Sequence, residues 1–290
     1  MTRLDPAWLE VQYNNRARIP EHPQIFERWA RASALSREGM TCHLDVRYGD
    51  GQNETLDVFP SARVNAPVLV FIHGGWWRSL DKSDHSFLAP SLVDKGAIVV
   101  MPNYALCPGT DVQPVSIESI TLQMVRALAW VYRNAALYGA DPRCIAVAGH
   151  SAGAHLAAMM LSCDWKAVAD DLPAQLVSLA LGISGVYDLE PIRQTPFLQA
   201  DLRLTPESAL KLSPACFRKP KGQLYAAVGA LESEEFLRQN SVIQQAWGMD
   251  TVPVCEAIPD THHMNVLHDL ADPEGRLQQI ALALLGLAPR

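Results

Sequence analysis

No two of the six cysteines in this 290-residue chain stand in C-x-x-C spacing. Cys42, Cys107, Cys144, Cys163, Cys216 and Cys255 are scattered, which argues against a paired-thiol redox motif and is expected of free thiols in a reducing cytoplasm. No H-E-x-x-H pair or other zinc-ligand spacing of histidines occurs, so a metal hydrolase is a poor reading and no metal or cofactor is expected. There is no cluster of five or more basic residues, and a formal net charge of -7 speaks against nucleic acid as a partner. No stretch approaches the roughly 18 uncharged apolar residues of a membrane span. Met1 to Trp8 contain no apolar leader core, so no signal peptide is expected. No interfacial apolar helix, repeat or low-complexity linker stands out, which disfavours a lipid-surface lipase.

The chain does contain a short apolar run, Cys144 to Ala148, that ends in Gly149-His150-Ser151-Ala152-Gly153 and passes directly into small helix formers, Ala154 to Met159. That is the sequence form of a nucleophile elbow, a strand-to-helix turn that lifts a serine hydroxyl clear of a parallel sheet. Side chains at 149 and 153 would collide with the turn, and Ser151 must adopt a strained backbone. A serine needs a base to take its proton and donors to hold the oxyanion. A second apolar run, Val68 to Ile72, leads into His73-Gly74-Gly75-Trp76-Trp77. Ala152 is placed to supply one oxyanion N–H and Gly74 or Gly75 the other, because residues without a Cβ let the backbone approach a substrate closely.

These motifs, with Ser184-Gly185-Val186-Tyr187-Asp188-Leu189, resemble the α/β-hydrolases of the kynurenine formamidase (arylformamidase) group, relatives of the hormone-sensitive-lipase-like carboxylesterases. The resemblance spans roughly residues 66 to 272. It departs at Trp76, where the family usually has tyrosine. The order of the chain should be serine, acid, histidine. Gln223 to Val228 reads as the strand before the acid, and the resemblance places the acid at Glu232, with Phe236 completing the pattern. Glu234 and Glu235 are rivals that also suit the first turn of a helix. After the strand-like Thr251 to Ile258 comes Pro259-Asp260-Thr261-His262-His263-Met264-Asn265. Spacing does not separate His262 from His263; the family pattern selects His263. Asp260 reads as a turn residue. His73 is expected to pin the glycine loop, His150 to be the variable position of the elbow, and His155 and His268 to be structural or surface groups. Trp77 and Tyr104 are candidates for the walls of an aromatic pocket, with core packing as the alternative.

Strands near 67–73, 97–102, 144–149, 176–183, 223–229 and 251–258 alternate with helices near 83–95, 116–138, 152–162, 233–247 and 274–285, after an edge hairpin at 41–60 turning at Gly49-Asp50-Gly51. The expectation is α/β; an α/β-hydrolase fold, with a mostly parallel central sheet, helices on both faces and a small helical cap, as a single domain over 1–290. Residues 5 to 38 read as two helical pieces broken near Pro20 and Pro23, carrying the exposed-type aromatics Trp8, Tyr13, Phe26 and Trp29, and the segment 1–40 is a candidate cap. An insertion over 185–222 reads as a short helical lid. The resemblance implies a serine hydrolase that cleaves a small acyl amide or ester through an acyl-enzyme, N-formylkynurenine being the leading substrate. The alternatives are a short-chain or aryl carboxylesterase, or a non-catalytic binding protein on the same fold. The expected partner is a small molecule, without nucleic acid or membrane; a homodimer is left open as a possible assembly, since the sequence does not show the oligomeric state.

Overall fold

The computed structural model describes residues 5–288. The first four residues, which include the start of the N-terminal segment and of the stretch read above as lacking a leader, lie outside the described residues, as do the last two. Eight strands form one sheet: β1 (His43–Arg47), β2 (Thr55–Phe59), β3 (Ala66–Ile72), β4 (Ile98–Pro102), β5 (Ala140–His150), β6 (Leu179–Ile183), β7 (Gln223–Gly229) and β8 (Val254–Ile258). Their order across the sheet is β1-β2-β4-β3-β5-β6-β7-β8. The β1–β2 and β2–β4 pairs are antiparallel and every later pair is parallel. Parallel strands need crossover helices, and those helices cover both faces, so the central strands carry unbroken apolar runs.

The two sides of the sheet are legible in the alternation of β3. Val68, Val70 and Ile72 belong to one buried cluster, with Met124 and Leu128 of the helix Ile117–Asn134. Leu69 and Phe71 belong to the other, with Leu267 and Leu270 of the helix Val266–Ala271 and Ile280 of Arg276–Leu284. Ile145 and Val147 of β5 face the first cluster, and Ala146 and Ala148 the second. All seven residues of β3 are buried. Burying side chains of this size stabilises the fold by about 1.5–3 kcal/mol each, before conformational entropy is set against it.

The N-terminal segment forms three helices rather than two: Pro6–Tyr13, Asn15–Arg18 and His22–Gly39. Pro23 lies in the first turn of the third, where a missing N–H costs nothing, so it starts a helix instead of breaking one. Of the aromatics expected at its surface, Tyr13 and Trp29 are buried. The prolines of the 185–222 insertion act similarly: Pro191, Pro196, Pro206 and Pro214 each stand in the first turn of a short helix. No helix among the described residues is long and apolar enough to cross a membrane.

Candidate active site

β5 ends at His150, and the helix Ala152–Leu161 begins immediately. Ser151, between them, has φ 56° and ψ -117°, a conformation that costs a non-glycine residue about 1–3 kcal/mol. Its N–H donates to Ile183 O at 2.8 Å, which ties the turn to β6. The flanking glycines are required sterically. A Cβ on Gly149 would lie 2.1 Å from Gly153 O, and one on Gly153 would lie 2.0 Å from Ile72 O at the end of β3.

The imidazole comes from the loop after β8, and the carboxylate from the turn after β7. His263 Nδ1 lies 2.6 Å from Glu232 Oε2, and both side chains are buried. A carboxylate buried without donors is costly, but this one is well supplied: Oε1 accepts from Gly229 N at 2.8 Å and from the Ser184 hydroxyl. A carboxylate oxygen can only accept, so Nδ1 of His263 carries the hydrogen and Nε2 is left as the basic nitrogen. Ser151 and His263 line the same cavity. No hydrogen bond joins the Ser151 hydroxyl to His263 in this structure, whereas the His263–Glu232 bond is formed.

The other acids and histidines are engaged elsewhere. Glu235 accepts from Tyr13 Oη at 2.6 Å and pairs with Arg238, while Glu234 is exposed in the first turn of its helix. Asp260 sits in a turn at φ 57°. His262 does not line the cavity that holds Ser151 and His263, and its Nδ1 accepts from the amides of Met264 and Asn265 at 3.2 and 3.3 Å. His155 is buried, contacts Leu212 O through Nε2 at 2.8 Å, and is pushed down to about 4 by burial, so it is neutral at pH 7. His268 accepts from Trp29 Nε1 at 3.3 Å. His150 is more than a variable position, since its Nε2 lies 2.7 Å from the carbonyl of His263.

After β3 the chain turns through His73-Gly74-Gly75. Tyr104 Oη donates to the carbonyls of His73 and Gly74 at 2.9 and 3.1 Å, and His73 Nδ1 lies 2.9 Å from Gly74 O. The N–H of a trans peptide points opposite to its carbonyl, so pinning Gly74 O aims Gly75 N–H the other way. Gly75 lines the cavity at φ 102°, and a Cβ there would strike Ser79 O at 2.0 Å. A Cβ on Gly74 would lie 3.1 Å from Ser151 Cβ, so the loop and the elbow are in contact. Among the described residues, neither Gly74 N, Gly75 N nor Ala152 N donates to a protein acceptor.

Trp77 and Tyr104 are not walls of this cavity. Both are fully buried, Tyr104 stacked on His73 at 4.2 Å and Trp77 edge-on to His155 at 5.0 Å. Trp76 and Trp77 have φ 54° and 55°, and this left-handed pair sends the first ring to the cavity and the second into the core. The aromatic walls are instead Phe26 and Trp29 of the N-terminal segment, Trp76, and Phe197 of the insertion. They enclose about 240 Å³, with Ser151, His150 and His263 on the same surface. Arg16 and Arg78 also border this space, and no acidic side chain does. Phe26 and Trp29 were visible in the sequence as aromatics of a candidate cap, and Ser184 as part of a family motif but without a role; nothing there marked Phe197 or either arginine.

The family described as BD-FAE matches residues 56–195. A kynurenine formamidase of Danio rerio is 32% identical over 96% of this chain and 96% of its own length. The solved structure of a Silicibacter sp. TM1040 protein, provisionally described as a thioesterase, is 30% identical and superimposes with a TM-score of 0.81 over 96% of this chain and 98% of that one. An esterase of Pyrobaculum calidifontis shares the fold at 18% identity, with a TM-score of 0.67 over 98% and 99% of the two chains. Taken with the elbow and the sheet order, these likenesses show that the chain belongs to the kynurenine formamidase family of α/β-hydrolases.

Proposed function

We propose that this hydrolase cleaves an aryl formamide of the N-formylkynurenine type, with Ser151 as nucleophile, His263 as base and acid, and Glu232 as the carboxylate that orients it. The observation that carries the reading is the hydrogen-bonded His263–Glu232 pair beside a serine at a strained elbow, facing a cavity walled by four aromatic rings. His263 Nε2 takes the Ser151 proton as Oγ attacks the formyl carbon. The resulting oxyanion is held by the N–H groups of Ala152 and of Gly74 or Gly75, each worth about 3 kcal/mol of barrier. Glu232 fixes the tautomer and stabilises the imidazolium. His263 then protonates the departing aryl amine, and the C–N bond breaks. Water, deprotonated by the same nitrogen, attacks the formyl-enzyme; formate leaves and the proton returns to Ser151. A formyl group is the smallest acyl group, so the aromatic walls are available for the leaving group.

The N-terminal segment and the 185–222 insertion, which supply Phe26, Trp29 and Phe197, serve in this reading as a cap. Six unpaired thiols are consistent with a cytoplasmic setting. A homodimer is not required, because one chain supplies every side chain of the site. Steady-state turnover of N-formyl-L-kynurenine against phenyl acetate tests the substrate. The reading expects a higher kcat/KM on the formamide, and a value far below that on the ester would overturn it in favour of a carboxylesterase.

A further inference from the structure

Two arginines line the cavity and no Asp or Glu does, in a chain whose formal net charge is -7. The two arginines are not equivalent. Arg78 is neutralised by an ion pair with Asp201 and also donates to Phe197 O at 3.2 Å. Arg16, at the cavity mouth, has no carboxylate within ion-pair distance among the described residues. Its guanidinium makes one bond, from Nη2 to Ser79 Oγ at 3.2 Å, and lies 5.7 Å from the centre of the Phe26 ring. Beside it, Asn15 lines the same cavity and is 5% exposed, and its Nδ2 has no hydrogen-bond partner. A cation without a carboxylate partner beside an orphaned amide donor is an arrangement that an anion with two acceptor oxygens relieves. Both burial and the nearby Arg78 act against the charge on Arg16.

We propose that Arg16, with the amide of Asn15 beside it, is an anion subsite that selects acyl donors whose leaving group carries a carboxylate. This inference rests on the reading of Ser151 as the nucleophile and adds to it the far end of the substrate. The reacting carbonyl lies at Ser151, an aromatic ring lies among Trp29, Trp76 and Phe197, and the carboxylate reaches the mouth. Ser79 Oγ, which accepts from Arg16, also donates to Gly75 O at 3.0 Å, so the subsite is joined by hydrogen bonds to the loop that holds the oxyanion.

The test compares kcat/KM for N-formyl-L-kynurenine and for 2-formamidoacetophenone, which has the same formamide and ring but no amino-acid arm. Wild type is expected to favour the carboxylate substrate, and Arg16→Met to reduce that preference about fivefold, the upper size of effect an exposed ion pair supports. Arg16→Lys keeps the charge without the fork and should fall between the two; it carries the comparison if Arg16→Met does not fold. An unchanged preference, or an equal loss on both substrates, overturns the subsite. If neither formamide is turned over, the formamidase reading fails and the subsite is decided separately, by inhibition of p-nitrophenyl acetate hydrolysis. The Ki of L-kynurenine should then rise about fivefold in Arg16→Met relative to that of 2-aminoacetophenone, and an unchanged ratio would overturn it.

Discussion

His150 holds His263 by its backbone: Nε2 of the residue before the elbow serine lies 2.7 Å from the carbonyl of the residue that presents the imidazole. A carbonyl only accepts, so this nitrogen carries the hydrogen, and burial keeps the ring neutral by pushing its pKa well down. The loop after β8 is thus fastened to the end of β5, and the base is placed relative to the serine by the elbow itself. Removing the ring should misplace the imidazole. His150→Ala is expected to lower kcat about tenfold or more, and His150→Gln, which keeps a donor, to recover part of it. Steady-state kinetics on a p-nitrophenyl ester checks this; a change confined to KM would assign the ring to substrate contact instead.

The buried carboxylate of Glu232 is expected to act through orientation. Glu232→Gln leaves a neutral group opposite His263 Nδ1, and kcat should fall by roughly three to four orders of magnitude. Ser184→Ala removes one of the donors to Glu232 Oε1 and should cost about tenfold in kcat, with KM little changed. Steady-state kinetics checks this, and an unchanged kcat with lowered stability would mean that Ser184 supports only the turn.

Tyr104, a candidate pocket wall with core packing as the alternative, is buried and pins two carbonyls of the loop. Tyr104→Phe frees the Gly74 carbonyl from one donor and allows the Gly75 N–H to drift. The expected outcome is a fall in kcat of about tenfold, with KM within about twofold of wild type, since the effect is on the oxyanion and not on binding. A risen KM with kcat intact would restore the pocket-wall role.

Stability should depend on pH through the buried histidines. His155 is held down to about 4 and His85 to about 3, in both cases chiefly by burial. Both are neutral in the fold, while in the unfolded chain they take up a proton near pH 6.5. The unfolded state therefore binds more protons below that value. Folding free energy is greatest above pH 6.5 and falls as pH drops towards 4, by about 1.4 kcal/mol per pH unit for each group. Urea unfolding at pH 7.5, 6.5, 5.5 and 4.5 measures it, and His155→Gln should flatten the slope. An identical slope in the variant would remove His155 from the account.

The elbow and the glycine loop were legible because their constraint is local: Gly149 and Gly153 are set by atoms only a turn or one strand away. The strands were legible because burial on both faces leaves unbroken apolar runs, although β5 extends to Ala140, four residues before its apolar run. The walls were not. Two consecutive left-handed residues at 76 and 77 break any periodicity, so the sequence does not say which tryptophan faces the cavity. Phe197 and Arg16 reach it only through the docking of separate segments. His262 and His263 were inseparable by spacing because they lie in a tight turn, not a helix or strand, where His262 is taken up by local bonds from the Met264 and Asn265 amides and His263 by the distant Glu232.

The central claim is that the Ser151 hydroxyl is the nucleophile. Treatment with a p-nitrophenyl phosphate triester, followed by peptide mass spectrometry, reads it directly. The account predicts one phosphoryl adduct on the peptide containing Ser151, formed with release of p-nitrophenol, absent in Ser151→Ala and formed far more slowly in His263→Ala. An adduct on another residue, or hydrolysis of a p-nitrophenyl ester by Ser151→Ala at the wild-type rate, would contradict it.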